Sequence, residues 1–473
     1  MAGLSVGHQS SGVKTFFRRL LWFVVILAVL FFGGWGFENW RGGSEWRKAK
    51  ERAARMGVSL DLADYAAEEI PEGESLMEDP TFLAEWNGEI EPVLDRITSM
   101  KLEGVKTRGI RSGSVWKGEA MGYRQYFEEE MSGAEAVRKL DEIYRPVAAR
   151  LEKLGKVVLE KPPQGQGARS DIFLRSEAIL RLLKTGNAFQ EFARLSLRKG
   201  DSKKAVWACE AIVQFGDHFA ESALIDLLVS YSVKRDSEKA IWDGIWLRKW
   251  TGQDLDRLAA LIPTDPDYDS LEKALRYESA MASWFVDQAE ELDRKILDDA
   301  GKKYGINDPP SLGDRVSYWT TYQGPSGWQD WRKATMLNVW LDLLKQRSAW
   351  ETSGKESPEF SGFETSRFHP LVWVRNMQGH EGGLIAKVQK QATRSRLARI
   401  AIELEKYRLQ ERDYPESLDV INLSFSIQDL TDPEGRDLRY EKTDNGYFHL
   451  WSEFGKERKG QSNLEWRFPE TDG

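Results

Sequence analysis

One uncharged apolar run near the start stands apart from the rest of the hydrophobic pattern. It extends from Leu20 to Phe37 and reads LLWFVVILAVLFFGGWGF. At 1.5 Å of rise per residue, a helix of this length is about the shortest that crosses a hydrocarbon core of roughly 30 Å. After Trp40 the chain is charged and polar, with apolar positions in between. The pattern therefore predicts one transmembrane helix followed by a large folded part.

The flanks of the apolar run favour a signal anchor whose N-terminus lies in the cytoplasm. Three basic residues precede the run, as in the start of a signal sequence: Lys14, Arg18 and Arg19. More basic residues follow between Arg41 and Arg55, but large translocated domains tolerate such charges. Two alternatives stay open: a signal peptide cleaved near Gly34-Trp35-Gly36, and a buried helix of a soluble protein.

Apolar positions then recur at helical spacing through the middle of the chain. Ser132 and Glu135 have the spacing of a capping box, and an apolar residue follows every three or four positions up to Leu154. Residues 170–300 predict nearly continuous helices, with breaks near Gly186, Gly200, Asp217, Asp236, Thr251 and Pro263 to Pro266. Helices are also predicted at 40–56, 80–100, 328–350 and 384–412, with a linker at 68–79 and loops at 159–167, 305–327 and 351–383.

A short internal echo lies in this helical region. The segment DSKKAVW at 201–207 returns as DSEKAIW at 236–242, and more faintly at 269–275. A period near 35 residues is typical of tetratricopeptide-like helical hairpins. Asp-Ser before a charged turn is also a common helix start, so both explanations stay open. Either one predicts α-helix.

The period of the pattern changes after residue 412. Tyr414-Pro415 predicts a turn, and short strands are predicted at 438–440, 447–451 and 464–468, with a hairpin turn at Asp444-Asn-Gly446. The segments ARIAIELEKYRLQERDYPESLDVI and DPEGRDLRYEKTDNGYFHLWSEFGKE resemble the soluble end of type II secretion major pseudopilins, over roughly residues 398–467. The resemblance implies a helix, a Tyr-Pro turn and a small antiparallel sheet in this order.

The chain departs from the pseudopilins in three respects. Their late acidic loop can hold calcium, but Lys456-Glu457 replaces the usual Asp-Gly here, so no calcium site is assigned. The prepilin leader signature is absent, and a long helical region separates the membrane helix from the C-terminal module. The whole layout is more similar to a family of uncharacterised single-pass bacterial envelope proteins, through Glu38-Asn-Trp-Arg41, Pro325-Ser-Gly-Trp328 and this module. That resemblance implies an architecture and no activity.

Composition narrows the function classes. The 473-residue chain has a net charge of −8 with acids and bases mixed along it, so no basic nucleic-acid surface is expected. Cys209 is the only cysteine of the sequence, which excludes an internal disulfide and a cysteine metal cluster. The 19 tryptophans fit either a helical core or sugar stacking, and the core is the commoner role.

No residue constellation outweighs its ordinary structural explanation. Ser196-x-x-Lys199 and Lys184-Thr185-Gly186 match two motifs of penicillin-binding enzymes, but in reversed order and without the third motif. His380-Glu381 is ascribed to a loop, His449 to a strand and Cys209 to the core. The acidic segments Glu128–Glu130 and Asp429–Asp437 are ascribed to solvated faces. No nucleotide-binding glycine loop occurs. We therefore assign no catalytic, cofactor-binding or metal-binding residue, and no nucleotide.

Taken together, these patterns predict a mainly α protein with a transmembrane helix, a multi-helix middle that a true repeat would make tetratricopeptide-like, and a small α+β C-terminal module with a short antiparallel sheet. The expected parts are a cytoplasmic N-terminus at 1–19, the membrane helix at 20–37, a membrane-proximal region at 38–131, a helical domain at 132–383 and the pseudopilin-like module at 384–473. We expect a single-pass protein of the bacterial inner membrane with its large domain outside the cytoplasm.

Three hypotheses follow for its role. The first is non-enzymatic binding, assembly or scaffolding with unidentified protein partners, alongside pilus-like or secretion machinery. The alternative is a protein that binds or hydrolyses a glycan of the cell envelope, with carboxylates and Trp side chains in an interhelical groove. The third is a purely structural spacer.

Overall fold

The protein is mainly helical, with a small sheet at its C-terminal end. The computed structural model describes residues 10–65, 76, 79–82, 133–161, 172–218, 223–263, 265–304, 325–353, 384–421, 430–432, 435–444, 446–454 and 464–468. The helices are Ser10–Arg55 (α1), Gly133–Glu160 (α2), Ile172–Arg198 (α3), Ser202–Asp217 (α4), Leu224–Trp246 (α5), Gly252–Leu261 (α6), Tyr268–Tyr304 (α7), Ser326–Ser353 (α8) and Leu384–Glu411 (α9). The strands are Arg439–Lys442 (β1), Phe448–Ser452 (β2) and Leu464–Arg467 (β3). The predicted fold class is confirmed.

Helix α1 contains the predicted membrane segment and continues beyond it without a break. It spans 46 residues, so the predicted helical continuation over 40–56 is confirmed. Its large apolar side chains between Phe16 and Phe32 are 40–70% exposed. A helix at the core of a soluble protein would bury such side chains. By length and composition, α1 is able to cross a membrane.

The chain folds into two compact units. The first comprises residues 1–62, 278–343 and 363–377, and the second comprises 63–277, 344–362 and 378–473. In the first unit, the second half of α1 lies with the later part of α7 and the first part of α8. Its buried side chains are mostly small on α1 and α7 and larger on α8: Ala49, Ala53, Ala280, Ala282, Leu337, Trp340 and Leu341. Small side chains permit close helix packing.

The second unit is built on helices α2 to α6, with α9 and the sheet against them. One continuous hydrophobic cluster contains residues from α2, α3, α4, α5, α6, α9, β2 and β3, and Tyr440 of β1 packs against it. The core therefore crosses the domain boundary predicted at residue 384. Four predicted breaks are confirmed: Gly200 has a φ of 81°, α4 ends at Asp217, Thr251 caps α6 in a capping box with Asp254, and α6 and α7 are separated at Pro263 to Pro266.

Two predicted helix breaks are wrong. Gly186 lies inside α3, where an added Cβ would lie 3.2 Å from the side chains of Asp236 and Val233. This glycine therefore permits the close approach of α3 and α5 and does not end a helix. Asp236 lies in the interior of α5, buried, and its carboxylate pairs with Lys239 at 2.9 Å. Asp236, which the sequence pattern predicted to start a helix, therefore forms an ion pair inside one continuous helix.

The internal echo does not mark equivalent positions in the fold. Asp201 is the N-cap residue of α4, and its carboxylate accepts a hydrogen bond from the Lys204 backbone amide at 3.0 Å. Asp236 is interior to α5, and Asp269 lies in the first turn of α7. A repeated helical hairpin would place matching residues at matching positions. The similarity therefore reflects common helix-forming composition.

The C-terminal module follows the predicted order of helix, turn and sheet. The three strands form one antiparallel sheet in the order β1-β2-β3, with Tyr440 opposite Leu450 and Leu450 opposite Trp466. The Tyr414 hydroxyl donates a 2.6 Å hydrogen bond to the Glu405 carboxylate of α9. Glu405 is fully buried and also accepts two 2.7 Å hydrogen bonds from Arg408. This network fixes the turn to the helix.

Several predictions lie outside the described residues. These are the capping role of Ser132, the helix at 83–100, the region 101–131, most of the linker at 68–79, and the loops at 162–167, 305–324 and 354–383.

Candidate functional site

A cleft in the second unit is the site at which polar side chains converge. It encloses about 520 Å³, its open mouth included, and lies between α4, α5, α9 and the segment that follows α6. Aliphatic residues form its walls, among them Val213, Ile262, Pro263 and Val388. Its polar lining comprises Tyr231, Lys234, Ser237, Glu238, Asp265, Asp267, Gln391 and Ser395. A concave, largely apolar site with a few convergent polar groups is the usual form of a ligand pocket.

Glu238 is the most unusual of these polar residues. It is only 3% exposed, although it carries a carboxylate. Its Oε1 accepts hydrogen bonds from Gln391 Nε2 at 2.9 Å and from Ser395 Oγ at 3.4 Å. Its Oε2 is buried and has no hydrogen-bond partner within the described part of the chain. Helix α9 thus holds one oxygen of Glu238 and leaves the other free.

Burial raises the pKa of Glu238 to about 7. Removing a carboxylate from water disfavours its charged form, and here that effect exceeds the opposing attraction of Arg394 and Arg235 and the hydrogen bonds from α9. A carboxyl group with a pKa near neutrality exchanges a proton at physiological pH, which is frequent at functional sites.

Two arginines act electrostatically on this carboxyl group, Arg235 and Arg394. Arg235 precedes Glu238 by one helical turn on α5, while Lys390 and Arg394 are one turn apart on α9. Burial, together with the positive charge of Arg235, lowers the pKa of Arg394 to about 10 despite the opposing charge of Glu238. Burial likewise lowers the pKa of Lys390, and the charges that act on it, Arg394 and Arg235, are both positive. Glu238 thus has two guanidinium groups acting on its one carboxyl group, and burial still raises its pKa.

The mouth of the cleft has a different character. Asp265 and Asp267 are exposed there, and Lys234 pairs with Asp217. The Tyr231 hydroxyl is buried without a hydrogen-bond partner among the described residues. Burial raises its pKa, and the charge of Asp267 adds to the effect. Carboxylates line the cleft, as the glycan hypothesis requires, but the described lining residues include no tryptophan.

The motif match to penicillin-binding enzymes has no matching geometry. Ser196 lies within α3, buried, and its hydroxyl donates a 2.8 Å hydrogen bond to the Phe192 carbonyl. Lys199 pairs with Asp141 of α2 instead of with Ser196. Lys184, Thr185 and Gly186 all lie inside the same helix α3. An activated serine needs a base within hydrogen-bond reach, and Ser196 donates to a backbone carbonyl instead.

The cysteine and the described histidines have structural surroundings. Cys209 is fully buried in α4, and burial raises its pKa, which keeps the thiol protonated and unreactive. His218 Nε2 donates to the Val158 carbonyl at 3.2 Å, and burial lowers its pKa. His449 stacks on Trp451 with ring centroids 4.3 Å apart, and its Nε2 lies 3.2 Å from the Glu465 carboxylate. The predicted structural role of His449 agrees with these contacts.

The remaining candidates are only partly described. His380-Glu381, Glu128–Glu130 and residues 455–457 of the expected calcium loop lie outside the described residues. In the acidic loop at 429–437, Asp432 is buried and accepts hydrogen bonds from the Arg436 backbone amide at 3.0 Å and from Arg436 Nε at 3.1 Å. In the described part of that loop, the Asp432 carboxylate is thus satisfied by Arg436 of the same turn.

A second cluster, in the first unit, joins two segments that stood out in the sequence. The Asn39 side-chain oxygen accepts hydrogen bonds from the Gly327 backbone amide at 3.0 Å and from Ser326 Oγ at 3.2 Å. Glu38 accepts a 3.2 Å hydrogen bond from Trp328 Nε1. Asn39 thus caps the N-terminus of α8 from α1, because it satisfies a backbone amide of the first helical turn. We call this contact the α1–α8 junction.

The α1–α8 junction also contains a backbone contact that requires glycine on both sides. An added Cβ on Gly42 would lie 2.5 Å from the Gly327 Cα, and one on Gly327 would lie 2.5 Å from the Asn39 Cα. The Arg41 guanidinium lies 4.8 Å from the centre of the Trp331 ring. Further along the same two helices, Arg52 pairs with Asp342. The segments ENWR and PSGW are therefore the two sides of one helix contact.

Sequence reasoning missed Glu238, although a signal was present. Leu227, Tyr231, Glu238, Ile241 and Ile245 follow one another at three-, four- and seven-residue steps along one stripe of α5. A charged residue on an apolar stripe is a sign of a buried polar site. Its neighbours Lys390, Gln391 and Arg394 carry no such signal, because their proximity depends on how α9 packs.

Comparison with models of known protein families, with curated proteins and with solved structures finds no match. The resemblance to pseudopilins and to single-pass envelope proteins therefore stays a prediction from the sequence motifs.

Proposed function

We propose that this protein is a non-enzymatic binding and assembly protein of the bacterial cell envelope. One helix anchors it in the inner membrane, and its large folded part lies outside the cytoplasm. The observation that carries the proposal is the course of α1, whose first half exposes apolar side chains while its second half is an integral part of the first unit. A cleaved signal peptide would not need this continuity.

The α1–α8 junction supports a positioning role. The anchor is joined to the folded part by hydrogen bonds, an arginine–aromatic contact and a glycine–glycine backbone contact, and a flexible linker is absent between residues 37 and 42 of the described helix. A rigid connection fixes the direction in which a binding surface faces. A Gly/Ser-rich linker would leave that direction variable.

The first experiment tests the anchor and its orientation. Removing residues 1–37 leaves the packed half of α1 intact and should move the protein from the membrane to the soluble fraction. For orientation, Val420→Cys in a Cys209→Ala background places one exposed thiol on the folded part. An impermeant maleimide should label it in intact spheroplasts, and labelling only after lysis would contradict the proposed orientation. The wild-type chain, in which Cys209 is buried and no cysteine stands at position 420, serves as the unlabelled control.

The second experiment tests the binding role. The full chain is cross-linked in its native membrane, purified and analysed by mass spectrometry. Reproducible recovery of pilus or secretion components would support an assembly role. Recovery of the chain alone, in both wild type and a variant with a disrupted α1–α8 junction, would count against it.

The lining of the cleft supports the glycan hypothesis as a second candidate function. Glu238, Asp265 and Asp267 line it, and carboxylates are the groups that bind sugar hydroxyls and catalyse glycoside hydrolysis. This observation favours binding or hydrolysis of an envelope glycan as the second candidate. Incubation of the purified chain with cell-wall glycan, followed by sedimentation and analysis for released sugars, tests it. If the chain neither co-sediments with the glycan nor releases sugars from it, this candidate is ruled out.

A further inference from the structure

We propose that the cleft binds an ammonium group on an aliphatic stem, with Glu238 as the acceptor of the ammonium hydrogens and the apolar walls in contact with the stem. This inference goes beyond the proposed scaffold role and does not depend on it. It concerns the second unit alone, because every described lining residue belongs to that unit.

One oxygen of Glu238 is a buried acceptor that lacks a donor. Glu238 is 3% exposed, and its Oε2 has no hydrogen-bond partner among the described residues. Its Oε1 accepts from Gln391 and Ser395, and all three residues line the cleft, so the carboxyl group is fixed in the cleft wall. Native proteins rarely leave a buried polar atom unpaired. A donor that enters through the cleft would satisfy this oxygen.

The charged groups that line the cleft are mostly carboxyls. Glu238, Asp265 and Asp267 contribute three of them, and Lys234 contributes the one ammonium group of the described lining. Lys234 is already paired with Asp217 of α4. A cleft lined by one sign of charge raises the local concentration of ligands of the opposite sign. The lining therefore favours a cationic donor over an anionic one.

The charged groups outside the lining leave the second oxygen of Glu238 to a ligand. Arg235 of α5 and Arg394 of α9 favour the charged form of Glu238, but neither donates a hydrogen bond to its Oε2. Lys390 lies one turn before Arg394 on α9, and Lys239 of α5 pairs with Asp236. A ligand in the cleft contacts the lining carboxyls directly, and a charge-assisted hydrogen bond is the stronger kind. The outer cations thus help to keep the acceptor charged.

The apolar walls distinguish an organic amine from a metal ion. Val213, Ile262, Pro263 and Val388 are among the aliphatic lining residues. An alkyl stem gains free energy when it leaves water for such walls. A hard metal ion would instead need several oxygen ligands around it, and the described residues hold no cluster of three or more metal-ligating side chains. The lining therefore fits an ammonium group with a stem of a few methylene groups.

Glu238 gives the site a characteristic pH dependence. With its pKa at about 7, its charged fraction rises from about 0.1 at pH 6 to about 0.9 at pH 8. An alkylammonium ion keeps its charge over this range, as a lysine side chain does. If only the charged carboxylate binds the ligand, affinity rises roughly tenfold between pH 6 and pH 8.

Calorimetric titration of the full chain in a non-ionic detergent tests the site. Propylammonium is the probe, and propanol is a neutral molecule of the same length with a hydroxyl donor. Propylammonium should bind about tenfold more tightly at pH 8 than at pH 6, and propanol should not bind. The same end group occurs on lysine side chains, so Nα-acetyl-lysine amide is the second probe. Tighter binding of this amide than of propylammonium would assign the site to a lysine side chain, and weaker binding would assign it to a free amine.

Variants of the lining identify the acceptor. Glu238→Gln should weaken amine binding at pH 8 at least tenfold and remove the pH dependence, because an amide does not titrate. Lys390→Gln should keep the pH dependence, which separates titration of Glu238 from titration of this neighbouring ammonium group. Glu210→Gln, outside the described lining, should bind as the wild type does.

A second variant keeps the test decisive if Glu238→Gln does not fold by circular dichroism. Asp265→Asn combined with Asp267→Asn changes exposed side chains only. It should weaken amine binding severalfold at low salt, and the difference should shrink at high salt, where exposed charges are screened. Equal binding of propanol and propylammonium, binding of neither amine, or amine binding that none of these carboxyl variants weakens would overturn the proposal.

Discussion

Replacement of Gly42 by alanine is expected to weaken the α1–α8 junction. The added Cβ would lie 2.5 Å from the Gly327 Cα and closer still to the Gly327 carbonyl oxygen, whereas ordinary contact begins near 3.4 Å, so the helices must separate by more than about 1 Å. Overpacking of this kind typically costs about 1–3 kcal/mol. Loss of the Asn39–Gly327 hydrogen bond adds about 1 kcal/mol, and the higher helix propensity of alanine returns about 1 kcal/mol. The expected net destabilisation of the junction is about 1–3 kcal/mol.

Gly43 provides the matched control in the same helix. A Cβ at Gly43 would meet its nearest neighbour, a carboxylate oxygen of Asp330, at 3.7 Å, which is an ordinary contact. Gly43→Ala should therefore be neutral or stabilise α1 by up to about 1 kcal/mol. Hydrogen exchange with mass spectrometry, on peptides that cover the start of α8, reports local opening. Gly42→Ala should accelerate exchange there about fivefold to 150-fold, since each 1.4 kcal/mol is about tenfold. Equal exchange in the two variants would refute the close backbone contact.

Three further predictions concern single polar groups. Asn39→Ala should cost about 1 kcal/mol at the start of α8, measured by the same exchange experiment, whereas Asn39→Asp keeps the accepting oxygen and should be milder. Tyr414→Phe should destabilise the second unit by about 1.5–3 kcal/mol in urea unfolding, because it removes a hydrogen bond to a buried carboxylate. A loss no larger than that of Tyr407→Phe, near the C-terminal end of α9, would contradict this. Glu238 binds a proton more tightly in the folded state, since its pKa rises to about 7, so stability should fall by up to about 3 kcal/mol from pH 4.5 to pH 7. Glu238→Gln should flatten this dependence in thermal unfolding, while Glu210→Gln should retain it.

Periodicity predicted the elements of this fold better than their contacts. Helix α9, the hairpin around Gly446 and the strands of the C-terminal sheet follow from local residue patterns, and the structure confirms them. The breaks predicted at Gly186 and Asp236 are wrong for one shared reason. Gly186 of α3 faces Asp236 of α5, and a Cβ added to Gly186 would lie 3.2 Å from the Asp236 carboxylate. The identities of both residues are therefore set by a contact between positions distant in sequence. Local propensity carries no information about such a contact.

The candidate site was less accessible to prediction than the fold. Glu238 is separated from Gln391 by 153 positions in the sequence, and their hydrogen bond depends on the packing of α5 against α9. The α1–α8 junction is similar, because Asn39 and Gly327 are 288 positions apart. The segments that form this junction were nevertheless visible as motifs. What the sequence could not supply was that the two motifs contact each other.

The continuity of α1 has a mechanical consequence. At 1.5 Å per residue, the helix rises only about 8 Å between Phe37 and Gly42. If residues 20–37 occupy the hydrocarbon core, the α1–α8 junction lies at the level of the lipid headgroups, and no swivel separates it from the bilayer. A tilt of the helix, imposed by membrane thickness or lateral tension, is then transmitted to the first unit as a lever transmits a torque. In that arrangement α1 would be a rigid stalk that carries force between the membrane and the first unit.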